Sequence, residues 1–205
     1  MTRFVAVVVG CALMAGMAAA QGPVTRPDAN TAVATFAGGC FWCVEADFDK
    51  VAGVISTTSG YTGGKVANPS YQQVSAGGTG HTEAVEIVYD PTKVSYEKLL
   101  DHFWRNHDPL AKNAQFCDHG SQYRAGIFYH DEEQRRLAQA SKQTAQARFK
   151  QPIQTEITPA GPFYKAEDYH QEYYVHNPIR YKFYRYNCGR DQRLEELWGK
   201  ADKSS

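Results

Sequence analysis

Residues 32–37 (AVATFA) form a short apolar run stopped by Gly38-Gly39, the pattern of a strand that ends in a turn. Phe41, Trp42, Val44, Phe48 and Val51 then recur at helix-like spacing, which predicts a helix over about 40–50. Residues 54–61 (VISTTSGY) are β-branched and alternating, a second strand, and 62–80 are rich in Gly, Asn, Ser and Pro, a long ordered loop. Strict alternation over 82–89 (TEAVEIVY), closed by Asp90-Pro91, predicts a third strand. Ser95 is a good N-cap for the helical stripe Tyr96, Leu99, Leu100, Phe103 and Trp104. A second long loop covers 106–120, and 123–129 (YRAGIFY) reads as a strand. Asp131 caps a polar helix reaching about Phe149, and 153–157 is a further short strand. The aromatic-rich stretch 163–198 shows no clear strand and reads as irregular with short helices.

The order strand-helix-strand-strand-helix-strand matches a ferredoxin-like split βαβ pair. The expected fold is therefore α+β (an α/β plait), with an extra helix and strand and a long irregular C-terminal wrap. No repeat of 20–50 residues is visible, and a single domain over 32–199 is expected, followed by a disordered tail at 200–205. The beginning of the chain is of another kind. Arg3, two apolar runs (4–9 and 12–17) and the small residues Ala18-Ala19-Ala20 before Gln21 form the pattern of a secretory signal over 1–20. An uncleaved anchor and a lipoprotein box at 8–11 are the alternatives. Residues 21–31 are a polar, flexible leader, and the expected location is exported and periplasmic.

Composition narrows the function. The 205 residues carry 22 Lys+Arg and 22 Asp+Glu, so the formal net charge is zero, which argues against a nucleic-acid partner. The hydrophobic fraction of 42% excludes a disordered chain. Five cysteines occur, at 11, 40, 43, 117 and 188. Removal of the signal leaves four, which in an exported protein suggests a disulfide framework. A domain of about 185 residues buries enough surface to manage without one, so redox or catalytic use gains weight.

Cys40 follows a Gly-Gly turn and opens a predicted helix, where free N–H groups and the helix dipole should lower its pKa. Phe41 and Trp42 add an apolar wall. Cys40-Phe41-Trp42-Cys43 is also a CxxC, suited to a redox dithiol. A zinc site from Cys40, Cys43, Cys117 and His119 lacks the usual ligand spacing, so no metal is expected. Alternation places Glu83 on the face of Val85, Ile87 and Tyr89, where burial would raise its pKa and make it an acid; an exposed edge carboxylate is the other reading. Asp118, Tyr123 and Tyr71 lie where turn stabilisation and chemistry are both open readings. His102, His107, His130 and His176 read as surface or satisfied polar groups.

Taken together, Gly39-Cys40-Phe41-Trp42, Gly60-Tyr61-Thr62-Gly63-Gly64, Asn68-Pro69-Ser70-Tyr71, Gly80-His81-Thr82-Glu83-Ala84-Val85, Tyr89-Asp90-Pro91 and Asp118-His119-Gly120-Ser121-Gln122-Tyr123-Arg124 resemble the A-type peptide methionine sulfoxide reductase family. The resemblance spans about 33–190. It implies that Cys40 attacks the sulfur of methionine S-sulfoxide, free or in proteins, while neutral Glu83 protonates the departing oxygen. It further implies that Tyr71 and Tyr123 hydrogen-bond that oxygen, Asp118 orients substrate or water, and Phe41 and Trp42 hold the ε-methyl. A sulfenic acid on Cys40 would be resolved by Cys188, and a thioredoxin-like dithiol would reduce the resulting disulfide. No cofactor is implied, and a monomer is expected. Three features depart from the commonest pattern: Cys43, Cys117 and the tail from Cys188 to Arg193. They leave Cys43 as an alternative resolving thiol, and a thiol–disulfide oxidoreductase built on Cys40 and Cys43 as the alternative function.

Overall fold

The structure is a computed structural model and describes residues 30–200. The expected signal segment and most of the leader, like residues 201–205, lie outside the described residues. In chain order the elements are β1 (Ala32–Ala37), α1 (Phe41–Phe48), β2 (Val54–Thr62), α2 (Tyr71–Ser75), β3 (Thr82–Tyr89), α3 (Tyr96–Arg105), β4 (Ala114–Gln115), β5 (Asp118–His119), β6 (Gly126–Tyr129), α4 (Glu132–Gln146), β7 (Glu156–Pro159), β8 (Tyr164–Lys165), α5 (Tyr173–His176), α6 (Pro178–Asn187) and α7 (Arg190–Trp198). Six strands form one sheet in the order β7-β6-β1-β3-β2-β8, and β4 and β5 pair as a small hairpin. In the central four, β6-β1-β3-β2, each strand is antiparallel to its neighbours, so β1 and β2 run parallel with β3 between them, as a split βαβ pair requires. The expected α+β plait is what the chain forms.

Register sets the two faces of the sheet. Phe36 lies opposite Val85 and Ala34 opposite Ile87, so the apolar alternation of both strands is in phase. On that face Phe36 stacks on Phe48 of α1 and Phe103 of α3, with centroids 5.2 and 4.8 Å apart. The two helices thus share one core. A smaller cluster of Ala37, Ala84 and Phe128 covers the other face. Ser95 and Asp131 cap α3 and α4 as expected, their side chains accepting from the Lys98 and Gln134 N–H groups.

Several boundaries differ from the pattern-based reading. The strand expected over 123–129 begins only at Gly126, because 121–123 form a 3₁₀ turn. The Thr82 hydroxyl donates to the carbonyls of Gln122 and Arg124, holding that segment as a turn beside β3. The strand expected over 153–157 runs over Glu156–Pro159 instead. There the N–H groups of Ile153 and Gln154 are taken by the Gln146 side chain and the Pro109 carbonyl. The loop 62–80 contains α2, whose capping box joins Ser70 and Gln73. The C-terminal wrap is more regular than expected: β8 extends the sheet against β2, and α6 and α7 are full helices.

Candidate active site

Gly39 has φ +86°, and a Cβ there would stand 2.4 Å from Gln115 Cβ, so glycine is required to turn the chain out of β1. That turn makes Cys40 the N-cap of α1, its carbonyl accepting from the Cys43 and Val44 N–H groups. The first free helical N–H, that of Phe41, donates to Glu83 Oε2 at 3.0 Å. Glu83 enters from β3 on the core face, as alternation predicts, and is 2% exposed. Burial, with the neighbouring Asp118 charge, pushes its carboxyl up to about 8 against the opposing pull of the Phe41 N–H. Near neutral pH Glu83 is therefore an acid holding its proton.

Cys40, Phe41, Trp42, Tyr71, Glu83, Asp118, Tyr123 and Tyr184 line one cleft of about 200 Å³. Five elements or turns meet there: the start of α1, the start of α2, β3, the β5 turn region and α6. The Trp42 indole donates to His170 Nδ1 at 3.0 Å and stacks on Tyr173 with centroids 3.7 Å apart. His170 is buried, which pushes its pKa down, so its accepting Nδ1 leaves the ring proton on Nε2. Phe41 leans on Tyr61 and on the same imidazole. The Tyr71 N–H is held by Glu167 Oε1 at 2.8 Å, and burial pushes its phenol up to about 12. Tyr123 is likewise raised by burial, so both phenols keep their protons for donation. Every cleft residue named from the sequence is brought to this one place.

The Cys40 thiol departs from expectation. Burial, aided by the Cys43 hydrogen bond and the Cys43 and Glu83 charges, pushes it well above the ordinary thiol range, although Tyr184 pulls it down. At 6% exposure the loss of solvation outweighs the helix N-terminus. Cys43, also buried, is pushed down to about 7 by the hydrogen bond from Cys40, with Arg190 and Arg185 adding to the effect. The disulfide also differs: Cys188 is bonded to Cys117, Cα–Cα 4.8 Å, while Cys40 and Cys43 are free. The reason is local. The tight β4–β5 hairpin presents Cys117 at the surface beside the C-terminal cap of α6, which is Cys188. With its Cys117 sulfur committed, the considered zinc quartet loses a ligand.

Sequence reasoning missed Tyr184 and His170. Tyr184 is one of 13 tyrosines, and nothing in its spacing marks it. Its hydroxyl donates to Asp118 Oδ2 and is hydrogen-bonded to Cys40. Asp118 is half-buried and its pKa is raised by that burial.

A plait carrying a buried thiol at a helix start, with a proton-bearing carboxyl across a small aromatic cleft, defines the class of cysteine-dependent oxidoreductases that work on a small group inserted between sulfur and acid. The chain belongs to the peptide methionine sulfoxide reductase family, whose family model matches residues 32–202. It is 54% identical over 167 residues to the peptide methionine sulfoxide reductase MsrA of Streptococcus equi subsp. zooepidemicus (strain H70), covering 80% of this chain and 98% of that one. It is 47% identical over 184 residues to the MsrA/MsrB protein of Vibrio cholerae, covering 89% of this chain but spanning only 48% of that longer protein. Among solved structures, Mxr1 of Saccharomyces cerevisiae in reduced form superposes with TM-score 0.71 at 33% identity, over 74% of this chain and 88% of that one. Methionine sulfoxide reductase A of Corynebacterium diphtheriae gives 0.67 at 34%, over 76% and 78%.

Proposed function

We propose that this chain reduces methionine S-sulfoxide, free or within oxidised proteins, to methionine. The observation that carries the reading is Glu83, buried and proton-bearing, fixed by the Phe41 N–H in the cleft that holds the Cys40 sulfur. The sulfur of Cys40 attacks the sulfoxide sulfur. Glu83 supplies the proton that the departing oxygen needs, and the phenols of Tyr71 and Tyr123 donate to that oxygen. Phe41 and Trp42, stiffened by His170 and Tyr173, enclose the methyl group. The net step moves one oxygen atom onto Cys40, leaving methionine and a sulfenic acid.

Recycling follows from the thiols. Cys188 condenses with the sulfenic acid, releasing water and forming a Cys40–Cys188 bond. Attack by the Cys117 thiolate on Cys188 frees Cys40 and leaves the Cys117–Cys188 pair, which a thioredoxin-like dithiol reduces. Support comes from exposure, since Cys117 is accessible to a protein reductant and Cys40 is buried. It comes also from Mxr1, which has been solved in complex with Trx2. The apolar runs and Ala18-Ala19-Ala20 support an exported, periplasmic location, where the protein would repair oxidised proteins.

The test is dithiothreitol-supported reduction of a methionine sulfoxide peptide. Wild type should turn over and Cys40→Ser should not; full activity in Cys40→Ser would overturn the assignment. A second reading, thiol–disulfide exchange by Cys40 and Cys43, is favoured by the hydrogen bond between those two sulfurs. It requires insulin-disulfide reduction that disappears in Cys43→Ser.

A further inference from the structure

A buried thiol must shed its proton before it can attack, and the proton must not go to Glu83, whose own proton the leaving oxygen requires. The cleft contains a second carboxyl, Asp118, on the other side of a single hydroxyl. Tyr184 donates that hydroxyl to Asp118 Oδ2 and lines the same cleft as the Cys40 sulfur, whose thiol it pulls down. A tyrosine hydroxyl has one proton to give and lone pairs to accept, so with its proton on Asp118 it is open to receive the Cys40 S–H when that proton turns away from Cys43.

We propose that Tyr184 is a catalytic residue that carries the Cys40 proton to Asp118. The S–H bond breaks and the Tyr184 oxygen takes that proton while releasing its own to Asp118 Oδ2; the thiolate is then left facing a hydroxyl that donates to it. No net charge enters the cleft, because one anion replaces another. Two carboxyls thus hold opposite duties, Asp118 accepting the thiol proton and Glu83 giving one to the oxygen, as paired sites with divergent environments do. Burial that raises both Asp118 and the thiol makes the exchange between them less uphill than release of a proton to water.

The chain also clamps this relay at both ends. Asp118 follows Cys117, and Tyr184 precedes Cys188 by one helical turn, with the Cys188 N–H bonded to the Tyr184 carbonyl at 2.9 Å. The Cys117–Cys188 bond therefore closes a ring through the Tyr184–Asp118 hydrogen bond. The other groups that bear on the relay are Cys43 of α1, Glu83 of β3, Tyr71 of α2 and Tyr123 around Cys40, and Arg190 and His119 around Asp118.

The inference rests on the sulfoxide-reductase reading, but its test does not need turnover. The rate at which iodoacetamide alkylates Cys40, located by fragment-ion mass spectrometry, is measured from pH 5 to pH 10. Tyr184→Phe should slow alkylation at neutral pH at least tenfold and move the midpoint upward. Asp118→Asn should also slow it, whereas a merely electrostatic role for Asp118 would speed it, since removing a nearby negative charge favours a thiolate. The double variant should be no slower than the slower single one, because both break the same chain. Near-ultraviolet circular dichroism confirms folding, and if Tyr184→Phe does not fold, Asp118→Asn alone decides. Unchanged or faster alkylation in Asp118→Asn, or multiplied effects in the double variant, would overturn the relay. Absence of sulfoxide reduction by wild type would instead remove the functional reading and leave the thiol result standing.

Discussion

Glu83 is a carboxyl that burial keeps protonated to about pH 8, and two consequences follow at the level of that side chain. The chemical step needs the neutral acid, so single-turnover reduction should fall as pH rises through about 8. Glu83→Gln should slow it by about 10²–10⁴-fold, the usual worth of a positioned acid. The same shift links to stability. The unfolded chain releases this proton near pH 4.3, roughly its unperturbed value, whereas the folded chain keeps it to about 8. The folded state binds the proton more tightly, so this contribution is fully present below the lower value and is lost as pH rises through the upper one. Urea titrations at pH 5 and pH 9 should show that loss in wild type and a smaller one in Glu83→Gln. The residue types and positions at Cys40, Glu83, Tyr71, Asp118 and Tyr123 were legible from motifs. The ionisation of Cys40 was not, because the sequence shows a helix start and not the burial that overrides it.

At the scale of elements, the β1–α1 turn decides where the reactive sulfur stands. Gly39→Ala would put a residue with a side chain at φ +86° and drive its Cβ into Gln115. Gln115 cannot yield cheaply, since its amide is bonded twice to the Asp108 backbone. The expected cost is about 1–3 kcal/mol for the strained backbone alone, measured as a lower thermal midpoint, together with loss of sulfoxide reduction. Strands β1, β2 and β3 and helices α1 and α3 were readable because their apolar periods are intact. Helix α6 was not, because Ile179 and Phe183 are 84% and 72% exposed and blur its pattern. The ends near residues 121–125 and 153–155 were misread because side chains and distant carbonyls, invisible to local spacing, take those backbone groups.

Over the whole molecule, the Cys117–Cys188 bond ties together segments 71 residues apart. In the chain-entropy account a loop of that length stabilises by roughly 4 kcal/mol, so reduction should lower the urea midpoint markedly, and Cys117→Ser should behave as the reduced protein. Cys188→Ser should still convert about one equivalent of sulfoxide but recycle poorly with a thioredoxin-type donor, as a methionine assay at limiting enzyme would show; undiminished multiple turnover would count against the recycling route. What the sequence by itself determined was the plait and the chemical inventory of the cleft, because alternation, capping and turn residues act over a few neighbours. What only the tertiary structure decided was which sulfur meets which, how each acid is charged, and that Tyr184 joins Cys40 to Asp118. Those depend on burial and on distances between segments far apart in the chain, and no local pattern encodes either.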